Sequence, residues 1–185
     1  MKNKIILLLL IYLFLNNIIY SLKLEIIKDD FEECTIYQAD EDTKINFYIY
    51  VPYDNNKKPY MKLTTKLITI SGFIEYKNVI LLNDKKNKYT IDTSKIEHIF
   101  ESTSGSVHKS QSSGTYIETS GWCIEKATLI LSEEQIDEII KYFMDVKEVQ
   151  IRFVGDLSHN DDELTRREIK FIIMLLKKWK ELTSQ

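Results

Sequence analysis

Two cysteines in 185 residues, with no Cys-x-x-Cys spacing, exclude the dithiol redox chemistry that such a pair supports. The chain has no Gly-x-Ser-x-Gly elbow, no His-Glu-x-x-His pair and, with only five glycines, no Gly-rich phosphate loop. Those absences remove the motifs by which a hydrolase, a zinc peptidase or a nucleotide-binding enzyme declares itself. A concentrated positive charge is missing as well. The net charge is −3, and the lysines are scattered among asparagines and isoleucines, so nothing draws the chain as a whole to nucleic acid. No internal repeat and no linker divides it.

What is present begins at the N-terminus. Lys2 and Lys4 precede an unbroken apolar run from Ile5 to Leu15, followed by Ile18, Ile19, Tyr20 and Ser21. A charged start, an apolar core of about 7 to 15 residues and a small residue at the exit are the marks of an export signal, with cleavage expected after Ser21. The competing reading is a retained membrane anchor over Ile5 to Leu22, which needs Asn16 and Asn17 to be tolerated in a span of roughly 20 residues. A lipid anchor through the thiol is disfavoured, because Cys34 lies far beyond the apolar core. Residues 1–21 thus read as a signal peptide and 22–185 as one domain, destined for the periplasm, the outer surface or the medium of a cell of bacterial type. Loss of Lys2 and Lys4 takes the net charge from −3 to −5.

In an oxidising compartment, Cys34 and Cys123 are candidates for a disulfide. Closing so long a loop is worth roughly 4 to 5 kcal/mol in the chain-entropy model. The alternative is two buried thiols that pack as small apolar side chains.

From Leu24 to Leu131 the hydrophobic period is mostly two. Ile45, Phe47, Ile49 and Val51 alternate with Asn46, Tyr48 and Tyr50, a strand whose second face is aromatic and is therefore expected to be covered. Asn78–Leu82 and Lys88–Asp92, around the polar turn Asn83–Asn87, form a hairpin. Met61–Ile70 and Lys126–Leu131 read as further strands. Ser102–Gly121 is polar enough to be a long connection around a short strand at Tyr116–Glu118.

The last third changes period. Ser132 with Gln135 is a capping-box spacing, and Ile136, Ile139, Ile140, Phe143 and Met144 then share a helix face. A strand over Val149–Phe153 ends at Gly155, an acidic loop spans Asp156–Glu163, and Thr165 with Glu168 opens a helix reaching about Leu182. The expected fold is α+β: a mainly antiparallel sheet from the N-terminal two thirds, then a β-α-β-α unit with two helices on the sheet. The strands at Ala127–Leu131 and Val149–Val154 are candidates for parallel neighbours. A β-sandwich with a helical appendage is the alternative.

Few residues suggest chemistry. Asp156, Ser158, Asn160 and Asp162 alternate as oxygen ligands of a calcium ion do, but an EF-hand register fails, with Asp161 at its sixth position and Arg167 at its twelfth. Helix capping accounts for the acids equally well, so no cofactor is expected. His98, His108 and His159 with neighbouring acids are the only candidates for a small exported hydrolase, and no nucleophile is spaced to meet them. Glu97 with Glu101 is a still weaker carboxylate pair. Tyr48, Tyr50, Tyr53, Tyr60 and Trp122 are candidates for a stacking platform. On the last helix Ile169, Ile172, Ile173, Leu176 and Trp179, widened by Phe171, Leu175 and Leu182, form an apolar arc broad enough for a deep groove or for a partner, beside Arg166, Arg167, Lys170, Lys177 and Lys178. The reading that follows is an exported binding or interaction module, for a protein or a small extracellular ligand, with membrane contact only if the N-terminal segment is retained.

Overall fold

A computed structural model describes residues 22–40, 42–70, 72–102, 106–110, 114–118 and 122–184. The expected signal or anchor segment lies outside them. In chain order the elements are β1 (Leu24–Asp29), β2 (Cys34–Ala39), β3 (Ile45–Pro52), β4 (Tyr60–Thr69), β5 (Asn78–Asn83), β6 (Lys88–Asp92), β7 (His98–Ser102), β8 (Ser106–Ser110), β9 (Gly114–Glu118), β10 (Cys123–Leu131), α1 (Glu133–Phe143), β11 (Val149–Val154), β12 (His159–Leu164) and α2 (Arg166–Thr183). Both helices open on the capping boxes read from sequence: Ser132 and Thr165 each accept from the N3 amide, and Gln135 and Glu168 reach back to the cap N–H.

The α+β architecture is mainly sheet, and among the described residues every strand pairing is antiparallel. The strands divide into a six-stranded sheet of order β1-β2-β3-β4-β10-β7, a four-stranded sheet of order β12-β11-β5-β6 and the ribbon β8-β9. Strict alternation sorts the side chains. Met61, Leu63 and Leu67 of β4 and Ala127, Leu129 and Leu131 of β10 face one core with Val79 and Leu81 of β5 and Val149, Ile151 and Phe153 of β11. Burying each such large side chain is worth roughly 1.5 to 3 kcal/mol.

Helix α2 closes that core over β2 and β3 and meets α1 and β12. Its broad apolar arc is consumed there: Ile169, Phe171, Ile172, Leu175, Leu176 and Trp179 are all buried. Arg167 lies over the Phe171 ring and Lys178 over Tyr37, so part of the cationic edge covers aromatic surface of its own domain.

Three expectations need correction. The strands at Ala127–Leu131 and Val149–Val154 are not parallel neighbours: β10 lies in the six-stranded sheet and β11 in the other, because α1 carries the chain across the core between sheets. The acidic segment is not a loop throughout, since His159–Leu164 pairs with β11 as an edge strand whose inward Leu164 is buried. Its acids stand on the solvent side or at the edge, where charge guards a strand against further pairing.

Cys34 and Cys123 are both buried and are not joined by a disulfide. Strands β3 and β4 separate β2 from β10, which is three strand spacings or roughly 14 Å. Cys34 also sits level with Pro52, before the start of β4, whereas Cys123 pairs with Thr69 at its end. The two thiols therefore occupy opposite ends of the sheet, and a disulfide requires Cα atoms within about 7 Å.

Candidate functional site

The outer face of the four-stranded sheet forms an open concavity of about 590 Å³. Its floor follows from register. Gln150 pairs with Leu82 and Glu163, and Arg152 with Ile80 and Asp161, so the outward residues line up as Glu163-Gln150-Leu82-Lys88 and Asp161-Arg152-Ile80-Thr90. The acids lie along the β12 edge, half-buried Ile80 and Leu82 form the apolar middle, and Lys88 stands on β6.

At the centre the Arg152 guanidinium forks onto Asp161, with Nε 2.5 Å from Oδ1 and Nη2 2.6 Å from Oδ2. Donation by Arg152 holds the Asp161 carboxyl below the usual carboxylate range, and the same bonds raise Arg152. His159 Nε2 stands 3.8 Å from Asp161 Oδ2. The Arg152–Asp161 pair, the Glu163 carboxylate, the Gln150 amide and the Lys88 ammonium thus surround apolar surface, the mixed lining of a small-molecule site.

The calcium candidates are dispersed. Asp156 pairs with Lys77 at 2.5 Å, and the Ser158 carbonyl accepts the Gly155 N–H at 2.9 Å. Asn160 and Asp162 share one side of β12, opposite Phe153 and Ile151. The Lys44 ammonium is 3.3 Å from Asp162 and donates to the Glu163 carbonyl at 2.8 Å, so an internal cation already serves these oxygens. Among the described residues no three His, Cys, Asp or Glu side chains gather as a metal site requires.

The histidines do not assemble. His159 is on the groove rim, His108 lies on β8 opposite Tyr116, and His98 is half-buried on the edge strand β7. His98 Nδ1 is 2.7 Å from Glu125 Oε1 and Nε2 is 3.4 Å from the Thr93 carbonyl. The buried Cys123 lies four residues from Ala127, the register partner of His98, or about 13 Å along the strand. Glu101 is bound to Lys126 at 2.9 Å.

Glu125 is the group sequence reasoning missed. Its carboxylate is buried, accepts the backbone N–H groups of Ile74 at 3.2 Å, Glu75 at 3.0 Å and Tyr76 at 2.8 Å, and receives His98 as a fourth partner. Glu75 adopts φ of 52°, which turns successive N–H groups inward as an anion nest. Beside it the Tyr76 hydroxyl donates or accepts at Thr65 Oγ1, 2.9 Å away, and the Thr93 hydroxyl donates to the Tyr76 carbonyl at 3.1 Å. With every oxygen engaged by its own chain, this is a pin fastening the β4–β5 connection to the larger sheet. The one sequence signal was a glutamate at an inward position of a strand reading Cys-Ile-Glu-Lys-Ala.

Tyr48, Tyr50 and Tyr60 lie on the outer face of the six-stranded sheet, whereas Tyr53 follows the end of β3 and is exposed. Tyr50 and Tyr60 stack with centroids 4.8 Å apart and planes 7° from parallel, and the Lys62 ammonium sits 4.4 Å from the Tyr50 centroid. Burial and the neighbouring Tyr60 hydroxyl push Tyr50 up to about 12. Trp122 is not part of this group: it precedes Cys123, at the far end of β4 from Tyr60. The face expected to be covered carries half-buried tyrosines and exposed isoleucines instead.

Fold and site together define a mixed α+β protein, mainly sheet, with an open, ligand-sized concavity on one sheet. Compared with family models, with curated proteins and with solved structures, the chain matches none.

Proposed function

We propose that this chain is an exported binding module that holds a small polar extracellular ligand on the outer face of its four-stranded sheet. The observation that carries the reading is the 590 Å³ concavity in which the Arg152–Asp161 pair, Gln150, Lys88 and Glu163 converge over Ile80 and Leu82. Apolar surface supplies affinity and the ring of fixed polar groups supplies orientation. Turnover is disfavoured because the histidines are dispersed over β7, β8 and β12 and His98 is bonded to the buried Glu125. Export rests on the N-terminal pattern of Lys2, Lys4 and the apolar run ending before Ser21.

Two experiments test the reading. Amide correlation spectra are recorded against neutral sugars, amino acids, short peptides and small carboxylic acids. Shifts confined to β5, β6, β11 and β12, and abolished by Arg152→Ala, are expected; ligands that shift only other elements overturn the site. Intact mass of fractions from an export-competent host tests the address. A soluble species trimmed near Ser21 is expected, and a full-length species in the membrane pool replaces the exported module with a tethered one.

A further inference from the structure

Glu163, Gln150, Leu82 and Lys88 form one register row across the floor of the concavity. From β12 to β6 the row presents a carboxylate, an amide, an apolar side chain and an ammonium. Three strand spacings, roughly 14 Å, separate its two charged ends.

The adjoining row is different, because Arg152 forks onto Asp161 there and the two charges neutralise each other. It leaves the polarity of the floor to the first row. Glu163 is held through its backbone, its carbonyl accepting from Lys44 at 2.8 Å and its N–H donating to Asp162 Oδ1 at 2.8 Å. Among the described residues its carboxylate has no cation, and the Gln150 amide and the Lys88 ammonium have no hydrogen-bond or ion-pair partner. A single exposed charge is merely solvated. A fixed order of four groups along the floor of a ligand-sized concavity is a pattern that one ligand can match group for group.

We propose that the ligand of this concavity is a short peptide with both termini free, lying across the strands with its ammonium at Glu163 and its carboxylate at Lys88. This rests on the concavity being the binding site. Length follows from spacing: an extended chain advances about 3.3 to 3.6 Å per residue, so about four residues cover the row. The Gln150 amide both donates and accepts, as a peptide group requires, and half-buried Leu82 receives an apolar side chain near the third residue. A neutral sugar offers neither end charge, and a small carboxylic acid offers only one. The opposed charges also fix direction, since a reversed peptide sets like against like.

The test uses amide correlation spectra of the protein as its host processes it, titrated with Ala-Ala-Leu-Ala and with the N-acetylated and C-amidated forms of the same peptide. Each blocked form is expected to bind weaker than the free peptide by about threefold or more, the scale of a solvent-exposed ion pair. Glu163→Gln is expected to weaken the free peptide by the same factor and to leave the N-acetylated form unchanged. Lys88→Gln is expected to do so for the C-amidated form, with circular dichroism reporting that both variants are folded. Equal binding of free and blocked peptides, or shifts in β5, β6, β11 and β12 from a non-peptide ligand alone, overturns the peptide and leaves the concavity as the site. Failure of every ligand to shift these strands overturns the site and the peptide together.

Discussion

Glu125 shows how a single buried charge is made tolerable. A carboxylate removed from water must be met by donors on nearly every lone pair, and here three backbone N–H groups and His98 do so. Glu125→Gln puts an amide NH₂ against donors, and the expected cost is about 3 kcal/mol in urea unfolding. A loss below about 0.5 kcal/mol would mean that the carboxylate does not hold the nest. Tyrosine hydroxyls give a second prediction. Burial pushes Tyr50 and Tyr89 up to about 12, and raises Tyr76 and Tyr142 further. A raised folded-state value means that stability is complete below the unfolded tyrosine value near 10 and is lost as pH rises toward 12, since only the unfolded chain ionises early. Ultraviolet titration is expected to show these phenols ionising together with loss of circular dichroism; reversible ionisation in the folded protein near pH 10 would contradict it.

At the scale of elements, the connection between β11 and β12 depends on Gly155. A Cβ there would lie 2.4 Å from the Ile74 carbonyl oxygen and 2.7 Å from Ile74 Cγ2. The obstacle is backbone of the very segment that Glu125 pins, so neither side yields readily. Gly155→Ala is expected to destabilise by about 2 to 3 kcal/mol, read as a lowered midpoint in urea. An unchanged midpoint would show that the β4–β5 connection is free to move. The sequence placed a strand end at Gly155 correctly, but the reason is a close approach of two chains as well as a turn. The capping boxes differ in kind. Ser132 with Gln135 and Thr165 with Glu168 are local, so spacing alone revealed them, although Glu168 also accepts the Lys44 N–H at 3.1 Å, a contact 124 residues away.

At the scale of the molecule, two sheets and two helices share one core, leaving each sheet an outer face. The cysteines report on that arrangement. Because Cys34 and Cys123 lie at opposite ends of one sheet, both remain thiols even under oxidising conditions. Intact mass after alkylation is expected to gain no adduct in the native protein and two in denaturant, and added reductant is expected to leave the melting temperature unchanged. A blocked pair in denaturant would reveal a bridge and a different strand order.

Local pattern carried much of this fold. The period-two runs, the hairpin turn at Asn83–Asn87 and both capping boxes were legible because each depends on residues within a few positions of one another. The broad apolar arc of α2 was legible too, but whether its partner was the protein's own core or another molecule was not. The division into two sheets, the conversion of the acidic segment into an edge strand, the separation of the cysteines and the Glu125 nest were decided only by tertiary structure. Each depends on pairings between distant segments, which alternation alone leaves open, since any two strands with one apolar face satisfy it equally well. The groove shares that origin: Arg152 meets Asp161 because β11 and β12 pair in one register, and a slip of β12 by one residue would turn Asp161 away from it.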